Sequence, residues 1–131
     1  MNGKPYTPDH ITRLAPHEIF VFGSNRAGIH AGGAALTALR TFGAILFKGS
    51  GRQGRSYAIP TMHGGPEAIA PYVDKFIRYA AEHPELHFWV TRLGCGIAGF
   101  SAGDIAPLFR AALELPNVSL PRDFAEALRQ N

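Results

Sequence analysis

Two glycine-rich loops, each placed directly after an apolar run, are the feature of this 131-residue sequence that most constrains its fold. The first loop covers residues 23–33 and follows the apolar run 19–22, and the second covers 94–100 after the aromatic and β-branched run 87–93. Short apolar runs of this kind predict strands, and the first one indicates a strand covered on both faces. Since ligands of α/β folds bind at the carboxyl ends of strands, both loops are expected at the binding edge of one sheet.

The rest of the pattern alternates between helical and extended segments. Residues 1–16 contain three prolines and predict an irregular arm, which leaves 17–131 for a single domain with one core. Alternation of strands with helices predicts an α/β fold built on a parallel or mixed sheet. Two helices are expected over residues 34–42 and 66–82. A third is expected to begin at an N-cap at Asp104, and a fourth at Pro121. Further strands are expected over 44–47, 56–59 and 117–120.

Cysteine and histidine content limits the chemistry. Cys95 is the only cysteine, which excludes an intrachain disulfide and favours a reducing compartment. The six histidines show no zinc-binding spacing, so neither a metal nor a cofactor is expected. The N-terminal residues have no signal-peptide core, and no stretch approaches the ~18 apolar residues that span a bilayer. We therefore expect a cytoplasmic protein without a membrane partner.

Charge is mildly positive and mostly scattered. Thirteen Lys and Arg against ten Asp and Glu give a formal charge of +3. The one dense basic group comprises Lys48, Arg52 and Arg55, interleaved with glycines. It predicts either contact with an anion or nucleic-acid backbone, or an ordinary solvated loop.

The chemistry of both loops suits phosphate. The first loop leads into a helix whose opening amides lack internal partners, and glycines there let a phosphate approach the backbone. The second loop carries a Gly-x-Gly-x-x-Gly spacing through Gly94, Gly96 and Gly99. The spacing comes late in the chain, and no second unit of the length that a nicotinamide site needs follows it. Two such loops on one sheet predict a diphosphate held between them.

These segments resemble the macro domain family. In that family an apolar strand ends in Asn, a glycine-rich segment opens the next helix, and a later strand runs into Gly-x-Gly-[Ile/Val]-x-Gly-Phe or Tyr. The counterparts here are residues 19–25, 30–35 and 88–100, and the resemblance covers roughly 18–113. It implies a three-layer α/β/α macro-like fold with a mixed or mostly parallel central sheet that binds ADP-ribose. Some relatives hydrolyse ADP-ribosyl bonds or deacetylate O-acetyl-ADP-ribose, so both binding alone and catalysis stay open.

The resemblance also implies roles for individual residues. Asn25 would contact the distal ribose and, in a hydrolase, hold it while a positioned water attacks the anomeric carbon. Phe100 would pack against the same ribose. The family's adenine-fixing acidic residue precedes the first strand, where Asp9 and Glu18 are the nearest acidic residues. The predicted ligand-binding residues are Gly23, Ser24, Asn25, His30, Gly32, Gly33, Gly94, Cys95, Gly96, Ile97, Ala98, Gly99 and Phe100.

Other interpretations of the same residues remain. Asn25 could instead close a turn through its own side chain. Cys95 could act as the nucleophile of a hydrolase with His30 or His63 as its base, or simply pack as a small residue. A nucleic-acid-binding accessory protein would use the basic group defined above and would lose affinity as salt rises. The sequence does not predict an oligomeric state.

Overall fold

The computed structural model describes residues 4–130 and confirms an α/β fold with a mixed, mostly parallel sheet. A 3-10 helix, Ala106–Glu114, follows directly after the third α-helix. The other elements are β1 (Glu18–Ser24), α1 (Gly33–Thr41), β2 (Gly51–Gln53), β3 (Ser56–Pro60), α2 (Pro66–Ala81), β4 (His87–Val90), α3 (Ala102–Ile105), β5 (Val118–Ser119) and α4 (Arg122–Arg129).

The sheet has the strand order β2-β3-β1-β4-β5, with β1 at its centre. β1 pairs in parallel with both β3 and β4, β5 pairs in parallel with β4, and β2 runs antiparallel to β3. Ser24 at the end of β1 lies opposite Pro60 at the end of β3. The carboxyl ends of the three central strands therefore meet at one edge, which is where both glycine-rich loops begin.

Side chains of β1 point alternately to the two faces of the sheet and so belong to two separate hydrophobic clusters. Ile19 and Val21 belong to the larger cluster, which includes side chains of α2, the 3-10 helix and α4. Phe20 and Phe22 belong to the smaller one, with side chains of α1. All four are buried, which confirms the predicted strand covered on both faces.

The predicted strand over residues 44–47 is wrong. These residues form a turn, and Phe47 is 72% exposed with a left-handed φ of 72°. The sheet continues instead through β2, whose Gly51 pairs with Ala58 of β3, so the glycine-rich stretch 49–54 contains a hairpin strand. The apolar run failed as a predictor because only Ala44 is buried, whereas the other three side chains are exposed and no other element covers them.

The helix after the second loop begins earlier than predicted. Its N-cap is Ser101, whose side chain accepts a hydrogen bond from the Asp104 amide, while the Asp104 carboxylate accepts one from the Ser101 amide. Asp104 thus supplies the second half of a capping box and is not the cap itself. Pro107 falls at the start of the 3-10 helix, where its missing N–H costs no internal hydrogen bond.

The described part of the arm, residues 4–16, forms neither helix nor strand. It is nevertheless held to the domain. The Lys4 ammonium donates to the carbonyls of Ala112, Leu115 and Val118 at 3.3, 2.9 and 2.8 Å, and the Thr7 amide donates to the Leu120 carbonyl. Within residues 4–130, no helix is long and apolar enough to cross a membrane.

Candidate ligand-binding cleft

An open cleft of about 1010 Å³ lies at the edge of the sheet where the central strands end. Three segments supply most of its wall: the arm over residues 7–12, the first loop with the start of α1, and the segment after β4, through residues 91–94 and 96–98. A volume near the upper end of the usual range for small-molecule sites suits a ligand with the size of a nucleotide sugar. Most of the predicted ligand-binding residues line it: Gly23, Ser24, Asn25, Gly32, Gly33, Gly94, Gly96, Ile97 and Ala98.

The second loop presents backbone donors to this cleft. The Gly99 amide donates to the Gly96 carbonyl at 3.0 Å, and the Phe100 amide donates to the Gly94 carbonyl at 2.9 Å, which folds the loop into tight turns. The three amides between, those of residues 96–98, donate to no acceptor within residues 4–130. They are available to a ligand.

The first loop ends in a helix start without a side-chain cap. Gly32 is the N-cap of α1, with an extended backbone and no cap hydrogen bond. A β-carbon added at Gly32 or Gly33 would meet no other atom within 4 Å, so this part of the loop is open space. The opening amides of α1 therefore have room for an anionic group, and the helix dipole favours one.

Asn25 lines the cleft but also performs the turn-closing role considered from the sequence. Its Oδ1 accepts from the Ile29 amide at 3.0 Å, and its Nδ2 donates to the Ile29 carbonyl at 3.1 Å. Each side-chain atom can form one further hydrogen bond, because an amide carries two donor hydrogens and two acceptor lone pairs. A ribose contact would have to use that remaining capacity.

Four residues of the predicted set do not line the cleft: His30, Cys95, Gly99 and Phe100. His30 is only 1% exposed and lies behind Ser24. Phe100 and Cys95 pack against the larger hydrophobic cluster. They support the second loop from beneath.

The proposed pairing of Cys95 with a histidine is not present. Within residues 4–130, no hydrogen bond joins Cys95 to His30 or His63, and the His63 Nε2 accepts from the Arg26 amide at 2.8 Å instead. Burial raises the pKa of the Cys95 thiol, and the carboxylates of Asp123 and Asp104 add to the rise. A thiol of this kind is a poor nucleophile at neutral pH.

The basic group folds onto the protein. Lys48 Nζ donates to the Arg52 carbonyl at 2.8 Å, and Arg52 Nε donates to the Gly54 carbonyl at 2.7 Å. Arg55 Nη1 donates to the Leu14 carbonyl at 3.0 Å. All three cations thus bind backbone oxygens of the hairpin or arm.

Sequence reasoning missed the contribution of the arm and of Arg92 to the cleft. Asp9 and Arg92 both line it and form an ion pair at 3.3 Å, and Arg92 also lies 3.4 Å from Asp123. Glu18, the other acidic residue considered for adenine, instead accepts a hydrogen bond from the Ala15 amide. Asp9 and Arg92 are 83 positions apart, so no local pattern could have joined them.

No protein-family model, curated protein or solved structure matches the chain.

Proposed function

We propose that this chain binds ADP-ribose or a closely related nucleoside diphosphate, with the diphosphate between the two glycine-rich loops. One observation carries the proposal: residues 96–98, whose amides are unpartnered, and the uncapped start of α1 line the same cleft. Phosphate oxygens accept hydrogen bonds from such amides, and glycines permit their close approach. The macro-like, three-layer arrangement is the architecture that the proposal assumes.

The remaining wall suits the rest of such a ligand. Ile29, Met62 and Ile97 line the cleft with exposed apolar side chains, Ile97 being 84% exposed. These side chains can cover the nonpolar faces of a sugar or base and so recover apolar contact. Arg92 adds a positive charge, shared with the carboxylates beside it.

The proposed function is binding alone. Hydrolysis of an ADP-ribosyl bond would need a catalytic base as well. Among the described residues, Asp9 is the only carboxylate on the cleft wall, and it pairs with Arg92. A water-activating base for attack on the anomeric carbon would have to break that pair. In the proposed complex, Asn25 would orient the distal ribose with the hydrogen-bonding capacity that its turn leaves unused.

Calorimetric titration with ADP-ribose, compared with AMP, NAD and ribose 5-phosphate, tests the proposal. We expect saturable binding of ADP-ribose and a loss of at least about tenfold in affinity for Gly96→Glu, equivalent to about 1.4 kcal/mol. The new carboxylate would repel the diphosphate. A β-carbon added at Gly96 meets nothing within 4 Å, so we expect the fold to stay intact.

Gly96→Ala is the matched control, because it adds a side chain at the same place without charge. We expect it to bind ADP-ribose like the unaltered chain. Binding by Gly96→Glu as tight as by Gly96→Ala would remove the second loop from the site. If none of the four compounds binds, the proposed function is wrong.

A further inference from the structure

Ser24 and His30 form a hydrogen-bonded pair at the floor of the cleft. Ser24 Oγ lies 2.8 Å from His30 Nδ1, and the two side chains belong to residues that are 5% and 1% exposed. Ser24 ends β1 and lines the cleft, whereas His30 lies behind it with its ring edge-on to Phe22 at 5.2 Å. Ser24 is thus the member of the pair that lies on the cleft wall.

The hydrogen-bond network fixes which atom of the pair carries the proton. His30 Nε2 lies 2.8 Å from the Ile45 carbonyl oxygen and 3.2 Å from Gln53 Oε1. Gln53 Oε1 also accepts a hydrogen bond from the Ile45 amide at 2.7 Å. The side-chain nitrogen of Gln53, Nε2, donates to the Lys48 carbonyl at 2.8 Å. Both neighbours of His30 Nε2 are therefore acceptors, so Nε2 carries the ring proton. Neutral His30 then has its lone pair on Nδ1, and the Ser24 hydroxyl donates to it.

We propose that Ser24 is a nucleophile activated by His30 and that it attacks the carbonyl carbon of a carboxylic ester bound in the cleft. Serine, histidine and the orienting Gln53 amide repeat the arrangement of nucleophile, base and third group found in acyl-transfer enzymes, in which an amide can replace the carboxylate. This inference goes beyond the binding function and depends on the cleft, not on ADP-ribose as its ligand.

The reaction runs in two balanced halves. Ser24 Oγ forms a bond to the acyl carbon as its proton passes to His30 Nδ1, and the tetrahedral oxyanion collapses by breaking the ester C–O bond. His30 returns that proton to the departing alkoxide, which leaves as an alcohol. Water then attacks the acyl-serine, with His30 again taking and returning the proton, and releases a carboxylic acid.

The cleft supplies what the oxyanion and the imidazolium need. The unpartnered amides of residues 96–98 line the same cavity as Ser24 and are donors for an oxyanion. When His30 gains its second proton, the Ile45 carbonyl and the Gln53 side-chain oxygen already accept from Nε2. The charge therefore forms beside acceptors that need no rearrangement.

A second serine–histidine pair in the structure provides the matched control. Ser119 Oγ lies 2.8 Å from His87 Nε2, the same separation as in the Ser24 pair. Ser119 is 0% exposed, and neither residue lines the cleft. Only the pair at the cleft floor should react.

The test uses p-nitrophenyl acetate on the full chain, with rapid measurement of p-nitrophenolate and peptide mass spectrometry. We expect a burst of about one equivalent and one added acetyl group on Ser24. Ser24→Ala should lose the burst and Ser119→Ala should keep it. His30→Gln should slow acylation of Ser24 by about 100-fold or more.

Peptide mapping of the unaltered chain keeps the test decisive even where a variant fails to fold. Acetyl on Cys95 or on lysines with none on Ser24, or an undiminished burst in folded Ser24→Ala, would overturn the proposal. ADP-ribose titration is independent of this result. A burst without ADP-ribose binding would reject the proposed function alone, and binding without a burst would reject the nucleophile alone.

Discussion

Glycines around the cleft differ in what a side chain would meet at each position. At Gly49 an added β-carbon would overlap the carbonyl oxygen of Asn25, and at Gly28, where φ is +72°, it would overlap the backbone of Lys48. At Gly32 it would meet nothing within 4 Å. Gly28 and Gly49 therefore allow two backbone segments to approach each other closely, whereas Gly32 leaves room for a ligand.

Gly49→Ala should therefore destabilise the protein by about 2 kcal/mol or more, since backbone atoms cannot move aside as a flexible side chain can. Gly32→Ala should change the free energy of unfolding by less than about 1 kcal/mol. Urea denaturation of both variants measures the difference. Equal stabilities would show that residues 25 and 49 do not pack as closely as described.

The position of a single residue was predictable from sequence when it depended only on the order of strands and loops along the chain. Five glycines of the two loops line the cleft, because the loops follow strands that end at the same edge: Gly23, Gly32, Gly33, Gly94 and Gly96. His30 does not, because its burial depends on Gln53, 23 positions later, which no local pattern connects to it. For Asn25 the sequence offered both a ligand contact and a closed turn, and the structure shows the turn.

Elements were predictable when their apolar spacing was long and regular. α2 begins at Pro66 as expected and ends within one residue of the predicted boundary, since Ile69, Val73 and Phe76 form a buried stripe. The run 44–47 lacked such support. Its four residues satisfied strand composition, but pairing went to the glycine-flanked segment Gly51–Gln53 instead.

The capping box of α3 makes a testable contribution at this scale. Ser101→Ala removes the side-chain oxygen that accepts from the Asp104 amide at 3.2 Å, so we expect a loss of about 1 kcal/mol in the free energy of unfolding. Ser101→Asn, which retains a capping oxygen, should lose much less. Thermal unfolding compares the two variants. Equal losses would contradict a capping role.

For the whole molecule, alternation of strands and helices was enough to predict the α/β class. The arm's part in the cleft was not predictable, because it depends on contacts over more than a hundred positions. The Thr7 amide donates to the Leu120 carbonyl, and the Lys4 ammonium donates to carbonyls within and just after the 3-10 helix. An irregular segment with three prolines carries no local sign of such anchoring.

Stability should fall in mildly acidic solution because of His87. Burial lowers the pKa of His87 below its ordinary 6.5, with smaller lowering by His17 and Lys4, against the opposing effect of Glu18. The unfolded chain therefore binds a proton below about pH 6.5 that the folded chain takes up only at lower pH, and the free energy of unfolding decreases through that window. Its contribution is fully present above about pH 6.5.

Urea midpoints at about pH 7.5 and about pH 5.5 measure this decrease. His87→Gln should show a smaller drop between the two conditions than the unaltered chain. An identical drop in both proteins would assign the acid sensitivity to other groups.

The outer strands of the sheet are short, with three residues in β2 and two in β5. A long, flat border exposes a row of unpaired amides and carbonyls onto which another chain can add. Here each border is too brief to hold a foreign strand in register, and at β2 the folded-back guanidinium of Arg52 places positive charge beside it. The edges of this five-stranded sheet therefore offer few unpaired backbone groups for edge-to-edge aggregation with other copies of the chain.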